Sequence, residues 1–170
     1  QARNTAASAP LPVIVDADTG FGNAQNVQRT VRGLAQAGAA CLMLEDQESP
    51  KRDFGAPGAV VSRADALRRV KAAVQARDTG VDILIIGRTD ARNAAGADSG
   101  LDEALWRAKA FADLGADILF VTGPHDRREM QKIVAATKLP LIIQVDEPGR
   151  PALSPASVHK MGFTIALYGV

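Results

Sequence analysis

The chain has 170 residues, 46% of them apolar and 23% charged, with 20 Lys and Arg set against 19 Asp and Glu for a net charge of +1. That composition suits a soluble globular domain with a sizeable core, and the balanced charge with only 4% aromatic residues argues against a nucleic acid or a membrane surface as partner. The single cysteine, Cys41, excludes an internal disulfide and fits a reducing compartment such as the cytoplasm, and no apolar run approaches the roughly 18 residues of a membrane span.

The first ten residues, QARNTAASAP, lack a starting Met and an apolar signal core, so the chain reads as an internal piece or a processed product. From there apolar runs and helical patterns alternate. A strand is predicted at Pro12–Val15. It is followed by a helix from near Asn23, with Val27, Val31, Leu34 and Ala35 on one face. The run Ala40–Leu44 predicts a second strand. Ser62 and Asp65 make a capping pattern that opens a helix with Leu67, Val70, Ala73 and Val74 on its apolar face. After the strand Ile83–Ile86, Leu101, Leu105, Ala108 and Phe111 mark a third helix. After the strand Ile118–Val121, Met130, Ile133 and Val134 mark a fourth. A strand at Leu141–Ile143, a short helix from Ser154 to Met161 and a last strand at Thr164–Tyr168 complete the series. Gly38, Gly115 and Gly162 stand where helices need a left-handed residue to stop.

None of the strand runs alternates apolar with polar. Continuous apolar runs belong to strands covered on both faces, and strictly alternating strands and helices imply a parallel sheet with right-handed crossovers. Helix-to-strand links are short, whereas the strand-to-helix links Asp46–Val61 and Ala91–Gly100 are long and polar. In parallel α/β proteins the chemistry sits at the C-terminal ends of the strands. No linker divides residues 1–170, which read as one domain.

The residues closing the strands form a consistent set: Asp16 and Asp18, Glu45 and Asp46, Arg88 and Asp90, Thr122, and Gln144. Residues two apart on a strand share a face, so Asp16 and Asp18 are expected to converge, with Glu45 on the neighbouring strand. Three crowded carboxylates repel one another, and a divalent cation removes that repulsion. An oxygen-only donor set of few ligands suits Mg2+, with Mn2+ as an alternative. Arg88 offers a planar fork for a substrate carboxylate or phosphonate, and Gly20 and Gly22 would let the backbone approach a ligand closely. The competing reading of Asp-x-Asp is that both acids cap turns. The Gly20-Phe21-Gly22 stretch runs on to Gln25 where the dinucleotide fingerprint needs Gly. His125 and His159 read as surface or loop residues, Cys41 as core, and the pairs Arg68-Arg69 and Arg127-Arg128 as solvated helix faces.

The stretches VDADTGFGN, LEDQ followed by SPKR, and IIGRTDAR resemble the isocitrate lyase and phosphoenolpyruvate mutase superfamily, in particular its methylisocitrate lyase-like branch. The resemblance runs from about Leu11 to the end of the chain. It implies a (β/α)8 TIM-type barrel of which this chain supplies about six strands, the third to the eighth, without the first strands and the C-terminal helices. It implies Mg2+ held by Asp16, Asp18 and Glu45, partly through water. It also implies that Arg88 holds the substrate and its developing oxyanion, and that the Thr19-Gly20 backbone cradles a carboxylate. Thr122 and Gln144 fall at substrate-facing positions, and the assembly implied is a homotetramer. The substrates implied are small 2-oxo or 2-hydroxy carboxylates, cleaved at a C–C bond through an enolate.

Lyases of the family carry a loop reading K-[KR]-C-G-H with an acid–base cysteine, whereas this chain reads Lys51-Arg52-Asp53-Phe54-Gly55. Cys41, inside a strand, cannot substitute. Asp53 is the candidate for the acid–base role, if a closed loop desolvates it; it reads equally as a solvated loop residue. Thr122 and Gln144 stand where a glutamate and an asparagine are usual. The expectation is therefore a Mg2+-dependent carbon–carbon lyase or decarboxylase. The alternatives are a phosphonopyruvate-type P–C bond enzyme and a non-catalytic carboxylate-binding relative.

Overall fold

The computed structural model describes residues 1–50, 58–96, 99–145 and 153–168. Six strands appear where the apolar runs lie: β1 (Ile14–Asp16), β2 (Cys41–Glu45), β3 (Leu84–Thr89), β4 (Ile118–Val121), β5 (Leu141–Gln144) and β6 (Ile165–Leu167). Between them stand α2 (Ala24–Gln36), α3 (Arg63–Asp78), α4 (Leu101–Asp113), α5 (Arg127–Ala135) and α6 (Pro155–Met161), with a 3-10 turn, η1 (Ala91–Asn93), after β3. The sequence reading did not assign α1 (Ala2–Ser8), a short alanine-rich helix that sets Ala6 against Gly38.

Every strand pairs in parallel with its neighbour in the chain, in the order β1-β2-β3-β4-β5-β6. That order never reverses, so there is no topological switch point of the doubly wound kind; it is the winding of a (β/α)8 barrel, here six strands of it.

Strand periodicity divides the side chains into two layers. Leu42, Leu44, Ile85, Leu119, Val121, Leu141 and Ile143 join the helices in one large core. Cys41, Met43, Ile86, Ile118, Phe120 and Ile142 form a second cluster with no helix residue in it, which identifies the concave inner face of the sheet. Both faces are covered, which is why the strands read as unbroken apolar runs. Along the inner face each strand turns polar as it ends: Met43 gives way to Glu45, Ile86 to Arg88, Phe120 to Thr122 and Ile142 to Gln144. Register sets Glu45 beside Arg88 and Arg88 beside Phe120.

Helix α4 departs from its expected face. It buries Glu103, Ala104, Arg107, Ala108 and Phe111, while Leu101 and Leu105 are only partly buried. The apolar spacing is satisfied by a helix turned slightly on its axis, because Phe111 packs against Gly87 of β3. A Cβ on Gly87 would lie 3.1 Å from that ring.

Candidate active site

The site begins where β1 ends. Ala17 N–H still donates to Met43 O (2.9 Å), and Glu45 N–H donates to Asp18 O (2.9 Å), so the main chain stays tied to β2 past the last strand residue. Asp18 then takes φ of 47°, Gly20 88°, Phe21 62° and Gly22 136°. This left-handed run delivers the chain to Asn23, which caps α2 through a reciprocal bond pair with Asn26. Gly20 is demanded by packing as well as by φ. A Cβ there would fall 2.5 Å from Val27 Cγ2, and its N–H is committed to Ala17 O at 2.8 Å.

The expected convergence of Asp16 and Asp18 by strand alternation does not occur, because strand geometry stops at Asp16. Asp16 Oδ1 accepts the Asp18 N–H (2.8 Å), so the turn-capping reading holds for that oxygen. Asp16 Oδ2 instead faces Arg88 Nη1 at 3.9 Å. Asp18 lines a separate cleft shared with Thr19, Glu48, Ser49 and Arg69. Among the described residues, no three acidic, His or Cys side chains stand close enough together to hold a metal ion.

Arg88 is the centre of what does assemble. Its Nε and Nη2 grip Asp90 Oδ2 and Oδ1 at 3.0 and 2.8 Å. Its Nη1 reaches Glu45 Oε2 at 3.3 Å, and its guanidinium carbon lies 5.6 Å from the centre of the Phe120 ring. Burial alone would lower the Arg88 pKa, but Asp90, then Glu45 and Asp16, raise it, so it remains a permanent cation. The fork expected to meet a substrate is thus occupied by Asp90, and the Nη1 end faces the two remaining carboxylates. Three carboxylates surround one guanidinium, which leaves room in the charge balance for a divalent cation. The donors are all hard oxygens of the kind Mg2+ takes.

Thr122 lies beside this group rather than apart from it. Its hydroxyl is 3.0 Å from Asp90 Oδ1 and 3.3 Å from Thr89 O, so it steadies the carboxylate that holds Arg88. Gln144 ends β5, half-buried, at the equivalent inner-face position. Thr19 is buried. Asp53 lies outside the described residues. Cys41 is buried at the opposite end of β2, and burial, aided by Asp117, raises its thiol pKa, which fits its reading as core.

The sequence reading missed three features. Arg69 is no solvated residue: it donates to Gln47 O (2.8 Å) and Glu45 O (3.4 Å), holding the end of β2. His125 is exposed but not isolated. Its Nδ1 stands 2.8 Å from Arg92 Nη2 and its Nε2 stands 2.7 Å from Asn93 Oδ1. Third, Asp46 is buried (1% exposed) beside Arg107 (0% exposed). The one sequence signal for this pair was the Glu103/Arg107 spacing inside an otherwise apolar helix face.

Comparison with known proteins bears on the family of the chain. The family model described as phosphoenolpyruvate phosphomutase matches residues 1–170. A 2,3-dimethylmalate lyase of Eubacterium barkeri is 42% identical over 163 residues, covering 95% of this chain and 55% of the relative. An oxaloacetate decarboxylase of Rhodopseudomonas palustris is 44% identical over 143 residues, 84% of this chain and 48% of the relative. The crystal structure of a 2,3-dimethylmalate lyase superposes with a TM-score of 0.88 at 34% identity, over 98% of this chain and 56% of that one. The chain spans about half the length of these relatives. With a matching family model along its whole length and the same barrel winding, the chain belongs to the phosphoenolpyruvate mutase/isocitrate lyase superfamily.

Proposed function

We propose that the protein is a Mg2+-dependent lyase that cleaves a C–C bond in a small 2-oxo or 2-hydroxy carboxylate. The observation that carries this reading is the meeting of Asp16, Glu45 and Asp90 around Arg88 at the C-terminal ends of β1, β2 and β3. Asp16 and Glu45, which both face Arg88 Nη1, would hold the cation. When bound, Mg2+ supplies Lewis acidity toward the substrate's oxygens and stabilises negative charge as the bond breaks.

The protein's own residues do the rest. Asp90 and Thr122 lock Arg88 in place, so its charge is preorganised toward the oxyanion that develops next to the carboxylate. Phe120 and Met43 floor the site and keep water from below. The relatives' names include a lyase on dimethylmalate and a decarboxylase on oxaloacetate, and both reactions leave an enolate, so this site serves either. The Lys51–Gly55 stretch, without the cysteine of family lyases, favours decarboxylation, which needs no proton abstraction by that loop. The phosphomutase description of the family model supports a second reading, P–C bond chemistry on phosphonopyruvate, which requires the same Arg88 and cation. The assembly we propose is a homotetramer.

The test is turnover by the full-length protein of oxaloacetate, dimethylmalate, methylisocitrate and phosphonopyruvate, with and without Mg2+. Oxaloacetate turnover that vanishes with EDTA and falls about 100-fold or more in kcat/KM in Arg88→Lys is expected. No turnover of any of the four sinks the reading.

A further inference from the structure

We infer that Arg107, on the outer helix α4, is a positioning residue for Arg88. This inference rests on the catalytic reading above only for its kinetic readout. Arg107 is fully buried, and its guanidinium contacts three separate parts of the chain. Nη1 meets Asp46 Oδ2 at 3.2 Å, Nη2 donates to Val61 O at 2.9 Å, and Nε donates to Glu103 Oε1 at 2.7 Å. Asp46 carries the connection inward. Its Oδ1 accepts the Asp90 N–H at 2.9 Å, and Asp90 clamps Arg88 with both carboxylate oxygens. An unbroken series of polar contacts therefore runs from α4 through the end of β2 and the end of β3 to the guanidinium in the site.

A role in stability alone explains this poorly. Replacing a buried ion pair by apolar residues of similar volume is often neutral or stabilising, so packing does not call for an arginine at this place. What arginine adds is a rigid fork that fixes three acceptors at once. Two of those acceptors belong to one strand-to-helix connection, because Val61 N–H also donates to Asp46 O at 2.9 Å. Glu103 is held in turn by Arg63, which stacks over the Trp106 ring at 3.9 Å, so the outer end of the series is anchored. Without Arg107, the Asp46 carboxylate loses the guanidinium that fixes its orientation through Oδ2, and the hold of its Oδ1 on the Asp90 N–H weakens.

The experiment uses full-length, 15N-labelled protein: wild type, Arg107→Met, Arg107→Lys, and Arg77→Met as a control. Arg77 is also partly buried and paired, but it ties Gly115 O and Asp117 near the start of β4, at the far end of the strands. Two readouts are taken beside the melting temperature: hydrogen exchange at the Arg88 Nε–H, assigned with Arg88→Lys, and KM for the substrate turned over. In Arg107→Met we expect Arg88 exchange about 10-fold faster and KM about 10-fold higher. Arg107→Lys keeps a charge for Asp46 without the fork and should lie between, near 3-fold in each. Arg77→Met should melt lower with both readouts unchanged. If Arg107→Met does not fold, Arg107→Lys decides. Wild-type exchange and KM in a folded Arg107 variant overturn the inference. If the wild type turns over no substrate, the proposed function falls, and the Arg88 exchange still decides this inference.

Discussion

Arg88 illustrates how a residue can be found from sequence and still be misjudged in detail. An arginine closing a buried strand beside acids was legible as a site residue, because such a charge has no structural reason to sit there. Which groups its fork meets was not legible, since that depends on Asp90, two residues further on, folding back onto it at 2.8 and 3.0 Å. The Asp16-Ala17-Asp18 stretch shows the opposite case. Its acids were legible, but the period of two ends with the strand at Asp16, and Asp18 lies in a turn with a left-handed φ of 47°. The missing Cβ of Gly20 makes room for Val27 and Leu44. Gly20→Ala should therefore destabilise the fold by about 2–3 kcal/mol, by overpacking together with backbone strain. Urea denaturation measures this as a lowered midpoint, and a midpoint equal to wild type would leave the packing account without support.

At the scale of elements, caps and strand runs were easy to read, and contacts between elements were not. Ser62 caps α3 as its spacing implied, and Gly162 ends α6 at φ of 101°, because both features are local. The link from η1 to α5 is different, since it joins residues more than thirty positions apart. Arg92 grips Glu129 with Nε at 2.8 Å and Nη2 at 2.6 Å, and His125 N–H donates to the same carboxylate at 2.8 Å. The Arg92 hydrogen bonds, outweighing burial, pull the Glu129 carboxyl from an ordinary 4.5 down to about 2. A depressed carboxyl pKa adds stability that is complete above the unfolded value and lost as pH falls toward the folded one. The contribution of this clasp, about 2 kcal/mol after allowance for its partial exposure, should fade between roughly pH 4.5 and pH 2. In Glu129→Gln, acid titration of the unfolding free energy should show lower stability at pH 7 and a shallower decline across that window. An unchanged slope would mean the clasp adds nothing.

For the whole molecule, a parallel sheet was legible because unbroken apolar strands alternate with capped helices over short return links, whereas the sequential barrel order was implied by the family resemblance. The charge balance at the mouth of the barrel leads to a prediction at this scale. Mg2+ binding only the folded protein should stabilise it by about 2.7 kcal/mol at 100 times its dissociation constant. Thermal melting with Mg2+ and then excess EDTA should show this shift, and Asp16→Asn combined with Glu45→Gln should abolish it. A shift that survives the double substitution would place the cation elsewhere. No helix among the described residues is long and apolar enough to cross a membrane.

The sequence by itself determined the six strands, the helices between them, their parallel direction and the polar residues at the strand ends, because each is set by spacing along the chain. Tertiary structure decided which acid faces which edge of the Arg88 guanidinium, and that Arg107 lies buried against Asp46. Those outcomes depend on side chains from strands and helices distant in sequence meeting at the end of one sheet, and no local period encodes where they meet.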